Sequence, residues 1–173
     1  MTDCFDPSCQ SCEISQGRIA IGGNIKLPGE WSLNHYGGTE GYLGWLALQP
    51  ICHRMKFSEL SPEELRHLGP NISAVQRVLS EYWMRVFADP IERLYIVYFF
   101  DGGGPERYHV HLHLIPRFAS LESRLRAWDV HRATTSATFP PRYKRDASNF
   151  HSQVGCIMDH LRRNLAELTV VER

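Results

Sequence analysis

Between Tyr108 and Arg117 the chain reads Tyr-His-Val-His-Leu-His-Leu-Ile-Pro-Arg, with three histidines two residues apart and an apolar residue in each gap. A period of two belongs to an extended strand, because successive side chains there point to opposite faces. The run therefore predicts a strand over 108–116, with His109, His111 and His113 on one face and Val110, Leu112 and Leu114 packed behind. At about 3.3 Å per residue the first and third histidine backbones stand about 13 Å apart, which disfavours a single ion held by all three. Their roles must be divided. Neutral imidazole titrates near neutral pH and serves as nucleophile, base or metal ligand without large tuning. The competing reading, a solvated outer face of an edge strand, fits the apolar residues between the histidines less well.

The rest of the pattern supplies partners for this strand. Segments 24–34 and 42–50 read as strands separated by a glycine-rich turn at Gly37-Gly38-Thr39-Glu40-Gly41. Ser61-Pro62-Glu63-Glu64 marks a helix start, with Ser61 capping, Pro62 where no donor is needed and Glu64 completing a capping box. Leu65, Leu68, Ile72, Val75, Val78, Leu79 and Trp83 then recur at helical spacing, which predicts a core-facing stripe to about Phe87 with a kink or break at Gly69-Pro70. A strand over 93–100 is joined to the histidine strand by Asp101-Gly102-Gly103-Gly104-Pro105, 134–142 reads as loop, and 147–167 reads as a final helix. With 173 residues, 43% hydrophobic and 22% charged, the chain suits a single globular domain.

Charge and cysteine usage narrow the function classes. The 19 basic and 19 acidic residues cancel, which argues against binding extended nucleic acid by phosphate neutralisation. No stretch approaches the roughly 20 apolar residues that cross a bilayer, and the first residues lack a basic region followed by an apolar one, so a cytoplasmic protein without membrane association is expected. Five cysteines, at 4, 9, 12, 52 and 156, form a poor disulfide framework, and Cys52 and Cys156 are expected to be small buried hydrophobes. Cys9-Gln10-Ser11-Cys12 has a spacing that serves zinc, redox exchange or neither. The residues around it are poor in apolar runs, so an ordered N-terminus needs something to pin it, and a metal would do that. His67, His131, His151 and His160 read as surface residues, and Arg142, Lys144 and Arg145 form a basic cluster in a proline-containing loop.

His109 to Ile115 matches at every position the His-φ-His-φ-His-φ-φ signature (φ apolar) of the histidine-triad family of nucleotide hydrolases and transferases, and the chain resembles that family. Gly44-Trp45-Leu46-Ala47-Leu48-Gln49-Pro50-Ile51-Cys52-His53 resembles the family strand that ends in a Pro-x-x-His turn, and Phe57 to Glu64 resembles the helix entry after it. The likeness runs from about Cys9 to Arg117. It implies an α+β, HIT-like fold: a five-stranded, mostly antiparallel sheet with one long helix and a C-terminal helix. Residues 1–117 would form the HIT-like domain with its N-terminal zinc loop, and 118–173 an extension packed on it. It also implies a homodimer.

A bacterial subset of the family holds zinc with a cysteine pair, the histidine after the Pro-x-x turn and the first triad histidine, which here are Cys9, Cys12, His53 and His109. Two thiolates and two imidazoles fill a tetrahedron, so that zinc would be structural. The resemblance further implies that His111 attacks the α-phosphorus of a nucleotide phosphoramidate, phosphoanhydride or dinucleoside polyphosphate, forming a nucleotidyl-histidine, while His113 meets the phosphate oxygens. The amides of Gly102, Gly103 and Gly104 would cradle the phosphate, or form a plain hairpin turn. Several positions depart from the family pattern. Trp45 replaces a histidine, Tyr98 replaces Asn or Gln, Gly104-Pro105-Glu106 replaces Gly-Gln-Ser, and Asn34 or His35 stands where an acidic residue holds the ribose. Two other classes compete: a nucleotide sensor without turnover, and a catalytic zinc hydrolase that would need an open coordination position.

Overall fold

The structure, a computed structural model, describes residues 4–38, 41–98, 108–121 and 139–166. Its elements in chain order are α1 (Gln10–Ser15), β1 (Asn24–Leu27), β2 (Trp31–His35), β3 (Leu46–Pro50), α2 (Pro62–Phe87), β4 (Ile91–Tyr98), β5 (Leu112–Phe118) and α3 (Phe150–Leu165). The strands form one five-stranded sheet in the order β1-β2-β3-β5-β4, and each neighbouring pair is antiparallel. The expected α+β fold with a long and a C-terminal helix is therefore present.

Several elements differ from the sequence reading, among them the segment 42–50, where only Leu46–Pro50 is strand. The segment 24–34 is two strands, because Pro28, Gly29 and Glu30 turn the chain, with Gly29 at φ +70° and Glu30 at φ +60°. The regular part of the histidine strand begins only at Leu112. Upstream of it His109 to His111 run past the loop that follows β3, where Val110 N–H donates to the Arg54 carbonyl at 2.7 Å. Pro70 lies inside a continuous α2, since Gly69 and Pro70 are exposed and water can satisfy the carbonyl that the missing N–H would have paired with. The start of α2 matches expectation: Ser61 accepts from the Glu64 amide at 3.1 Å and the Glu64 carboxylate accepts from the Ser61 amide.

The register divides the sheet into two faces. Leu33, Leu48, Leu112 and Leu114 share one face with Trp31 and His35, and the helices cover it. There Trp31 Nε1 donates to the Glu64 carbonyl of α2 at 2.8 Å, and His35 meets Phe150 of α3 edge-on at 5.5 Å. Trp83 of α2 stacks on Phe118 at 4.8 Å. Leu65 is exposed and does not join the predicted stripe, whereas Val75, Val78, Leu79 and Trp83 are buried. His67 and His160 are buried rather than on the surface, since His67 Nδ1 meets the Glu63 carbonyl under Gly29 and His160 packs on Tyr82, while His151 is exposed. His131 lies outside the described residues.

Asp89 ties the C-terminal part to this core. Its buried carboxylate accepts from the Ser120 amide at 3.0 Å, from Ser120 Oγ at 2.5 Å and from the Tyr143 hydroxyl at 2.8 Å, and Arg142 lies at 3.5 Å. Of the basic cluster, Arg142 is thus engaged by Asp89, and Arg145 donates to the Gly38 carbonyl at 3.0 Å. Among the described residues no helix is long and apolar enough to cross a membrane.

The cysteines require a correction. Cys52 is bonded to Cys4 in a disulfide that spans 48 residues of sequence, and Cys156 is exposed, so neither is the small buried hydrophobe expected. The pairing follows from the N-terminal segment lying along the loop after β3, where the His53 amide donates to the Cys4 carbonyl at 2.9 Å. Sequence spacing carries no signal for it. Such bridges persist in oxidising surroundings and are rare in reducing ones.

Candidate functional site

Four separate pieces of chain bring their donors to one point. Cys9 caps α1 and Cys12 lies in its first turn, His53 follows β3, and His109 precedes β5. Their ligand atoms all lie within 4.8 Å of one another, and Cys9, Cys12 and His109 are buried. His109 Nε2 faces the Pro50 carbonyl at 3.0 Å. A carbonyl only accepts, so Nε2 carries the hydrogen and Nδ1 keeps its lone pair. That lone pair points between the sulfurs of Cys9 and Cys12, each at 3.5 Å, and His53 Nδ1 is 3.3 Å from Cys12 Sγ.

These separations test whether the residues fit a zinc ion. With Zn–S about 2.3 Å and Zn–N about 2.0–2.1 Å, a tetrahedral centre sets sulfur and nitrogen about 3.5 Å apart. The donor set and its spacing support a zinc site of Cys9, Cys12, His53 and His109, closed and therefore structural. Burial holds the His109 imidazole down to about 4, which keeps it neutral and ready to ligate, and pushes the Cys12 thiol up to about 11 without metal. Held by Cys9, Cys12, His53 and His109, a zinc ion would supply positive charge that favours the thiolates, and these residues would then join α1, the β3 loop and the triad segment. The Pro50 carbonyl orients His109 from behind, as outer partners of metal-bound histidines do.

The other two histidines lie on the sheet face away from α2 and α3. Register places Asn34, Ala47, His113 and Val97 in one row across β2, β3, β5 and β4. His111 is half-buried, and its Nδ1 lies 2.8 Å from the His109 carbonyl, so Nδ1 donates and Nε2 retains the lone pair. His113 is buried beside it, with ring centroids 4.9 Å apart. Burial, and secondarily the neighbouring His111, holds His113 down to about 4. Trp45 Nε1 donates to His113 Nδ1 at 2.9 Å, and Tyr36 stacks on Trp45 at 4.9 Å.

The sequence-predicted residues separate as follows. Asn34 lies in the His113 row and is 3% exposed; among the described residues its Oδ1 has no hydrogen-bond partner, while Nδ2 donates to the His35 carbonyl at 2.9 Å. Ala47 between Asn34 and His113 adds only a methyl group to the floor. His35 faces the helices instead, so of the two only Asn34 lies in the row of His113. Tyr98 pairs with Leu112 and its ring lies 6.0 Å from that of Phe57, so it sits on the opposite sheet face from His113. Gly102, Gly103, Gly104 and Glu106 lie outside the described residues. Sequence reading missed the Trp45 to His113 bond, treating Trp45 only as a lost histidine. The two residues lie 68 apart in sequence, and only the sheet register joins them.

No protein-family model and no curated protein matches the chain. Among solved structures, a zinc-bound histidine triad family protein from Mycobacterium smegmatis matches with a TM-score of 0.54 and 18% identity, over 95% of this chain and 98% of that one. A second structure, SMU.412c from Streptococcus mutans UA159, matches with a TM-score of 0.55 and 21% identity over 73% of this chain and 76% of that one. The sheet, the four-donor cluster and the Mycobacterium smegmatis neighbour agree: the chain has the histidine-triad fold, with a Cys/Cys/His/His zinc site built into it.

Proposed function

We propose that the protein is a nucleotide hydrolase or nucleotidyltransferase working through a nucleotidyl-histidine on His111. The observation that carries this reading is the tautomer of His111: its Nδ1–H is engaged by the His109 carbonyl, so Nε2 holds the lone pair a nucleophile needs. His111 Nε2 bonds to the α-phosphorus while the bond to the leaving group breaks with its electron pair. Water then attacks the same phosphorus, restores the Nε2 lone pair and leaves a nucleoside monophosphate, its hydrogens passing to the leaving group and the medium. A phosphoramidate, a phosphoanhydride or a dinucleoside polyphosphate fits this scheme equally.

A zinc held by Cys9, Cys12, His53 and His109 would be structural, fixing His109, whose carbonyl in turn holds His111. His113 serves the phosphate oxygens, the orphaned Asn34 Oδ1 accepts from a ribose hydroxyl, and Gly103 and Gly104 complete the phosphate cradle. Exposed Ile96 on edge strand β4 supports assembly as a homodimer, to be read by light scattering on a sizing column. Release of nucleoside monophosphate from adenosine phosphoramidate and from diadenosine polyphosphates, followed by chromatography, tests the reading. Zinc-loaded folded protein that binds these compounds for hours without product would replace it with the sensor reading, which the neutral Asn34 and the loss of a histidine at Trp45 support.

A further inference from the structure

His111 and His113 hold opposite tautomers, and different partners impose them. His111 has Nδ1 protonated against a carbonyl. At His113 the partner is an indole N–H, which can only donate, so His113 Nδ1 must accept and the hydrogen of the neutral ring resides on Nε2. The two adjacent rings therefore present a lone pair on one Nε2 and an N–H on the other.

Trp45 is held firmly enough to enforce this. It is 2% exposed, its amide donates to the Tyr42 carbonyl at 3.0 Å, and its carbonyl accepts from the Tyr36 amide at 2.8 Å. Gly44 before it adopts φ +85°, and a Cβ there would stand 2.8 Å from the Trp83 ring, so the approach to Trp45 admits no other residue without a shift. Tyr36 stacks on the indole at 4.9 Å and meets His113 edge-on at 4.7 Å. Burial holds the His113 ring in its neutral form.

We propose that Trp45 is a positioning residue: by donating to His113 Nδ1 it keeps the Nε2–H of His113 as a fixed donor to the oxygens of the phosphate that His111 attacks. The inference rests on the nucleotidyl-histidine reading. A histidine at position 45 could exchange a proton with His113, whereas an indole cannot, so His113 here donates a hydrogen bond and does not relay a proton through residue 45. A neutral donor held in place before the reaction stabilises charge growing on the phosphoryl oxygens without reorganising.

The test compares zinc-loaded full-length wild type with Trp45→Phe, which keeps ring bulk and removes the N–H, and with Trp45→His, which restores an N–H. Zinc content and thermal melting confirm the fold of each. Long-range proton–nitrogen NMR of histidine-labelled protein without substrate should show His113 unprotonated at Nδ1, with a coupling across the hydrogen bond from Trp45. In Trp45→Phe that coupling is lost and His113 exchanges between ring states. The single-turnover rate of adduct formation with adenosine phosphoramidate should fall about 10- to 100-fold in Trp45→Phe, as for loss of an aligned donor. Apparent affinity should change less than about threefold, and Trp45→His should recover part of the rate.

A wild-type spectrum with the proton on His113 Nδ1, or a Trp45→Phe variant with unchanged spectrum and rate, overturns the proposal. Failure of the reaction itself is distinguishable: the spectrum then shows the fixed tautomer while no protein, wild type included, forms an adduct, and the positioning role falls with the reaction.

Discussion

Acidification should weaken the fold through His35, by an amount the structure allows to be worked out. The ring is 2% exposed, its Nδ1 donates to the Tyr36 carbonyl at 3.0 Å, and its Nε2 accepts from the Gly44 amide at 3.3 Å. Protonation would turn that acceptor into a second donor facing an N–H, in a pocket closed by Phe150 and near the Arg145 charge. Burial first, and Arg145 among the smaller causes, hold His35 down to about 4 in the folded chain, against 6.5 as the ordinary value. The folded-state value is depressed, so the unfolded chain takes the proton first and stability falls with pH. The contribution is whole above about 6.5 and is lost progressively as pH drops towards 4. At 1.36 kcal/mol per pH unit the loss amounts to about 3 kcal/mol over that window. Urea unfolding of wild type and His35→Gln at several pH values between 7 and 4.5 reads it. The wild-type stability should decline more steeply than that of the variant, by up to about 1.4 kcal/mol per pH unit. Parallel slopes would refute the reasoning, whatever the variant's stability at neutral pH.

Three further outcomes follow from the packing and the metal site. Cys9→Ser or His53→Ala should reduce bound zinc well below one per chain by mass spectrometry and lower the melting temperature, because a closed four-donor site is part of the fold. Reduction of the Cys4–Cys52 bridge should cost less in zinc-bound than in zinc-free protein. A loop of 48 residues is worth about 4 kcal/mol in a chain-entropy treatment, but zinc already closes most of that loop between Cys12 and His53. Equal costs by urea unfolding, with and without chelator, would count against the shared loop. Asp89→Ala should cost about 2–4 kcal/mol, since it strands the buried donors of Ser120 and Tyr143, and the same unfolding assay reads it.

Much of this arrangement is legible in the residues because local rules and tertiary structure agree there. The capping box at Ser61 and Glu64 stands as written, since its bonds join residues three apart. Of the alternating histidines, His111 and His113 set their rings side by side, 4.9 Å apart, even though the regular ladder begins only at Leu112; upstream of it the Val110 N–H is taken by the Arg54 carbonyl and the His109 ring by the Pro50 carbonyl. The four zinc donors were reached through the family resemblance, and the structure brings them together. What sequence could not carry are facts of juxtaposition. Cys4 meets Cys52 because a segment with little apolar content lies along a loop, and Trp45 meets His113 because β3 and β5 are neighbours in a particular register. His67 and His160 illustrate a related limit: a histidine on a helix carries no mark of its burial until the facing element is known.

The central claim is that a metal-held His109 leaves His111 with a reactive Nε2. Native mass spectrometry of the zinc-loaded chain, taken seconds after mixing with adenosine phosphoramidate, reads both halves together. The expected species carries one zinc and one adenylyl group, and His111→Ala keeps the zinc while losing the adduct. An adduct that persists in His111→Ala, or wild-type protein with zinc bound and no adduct or turnover, would contradict the account.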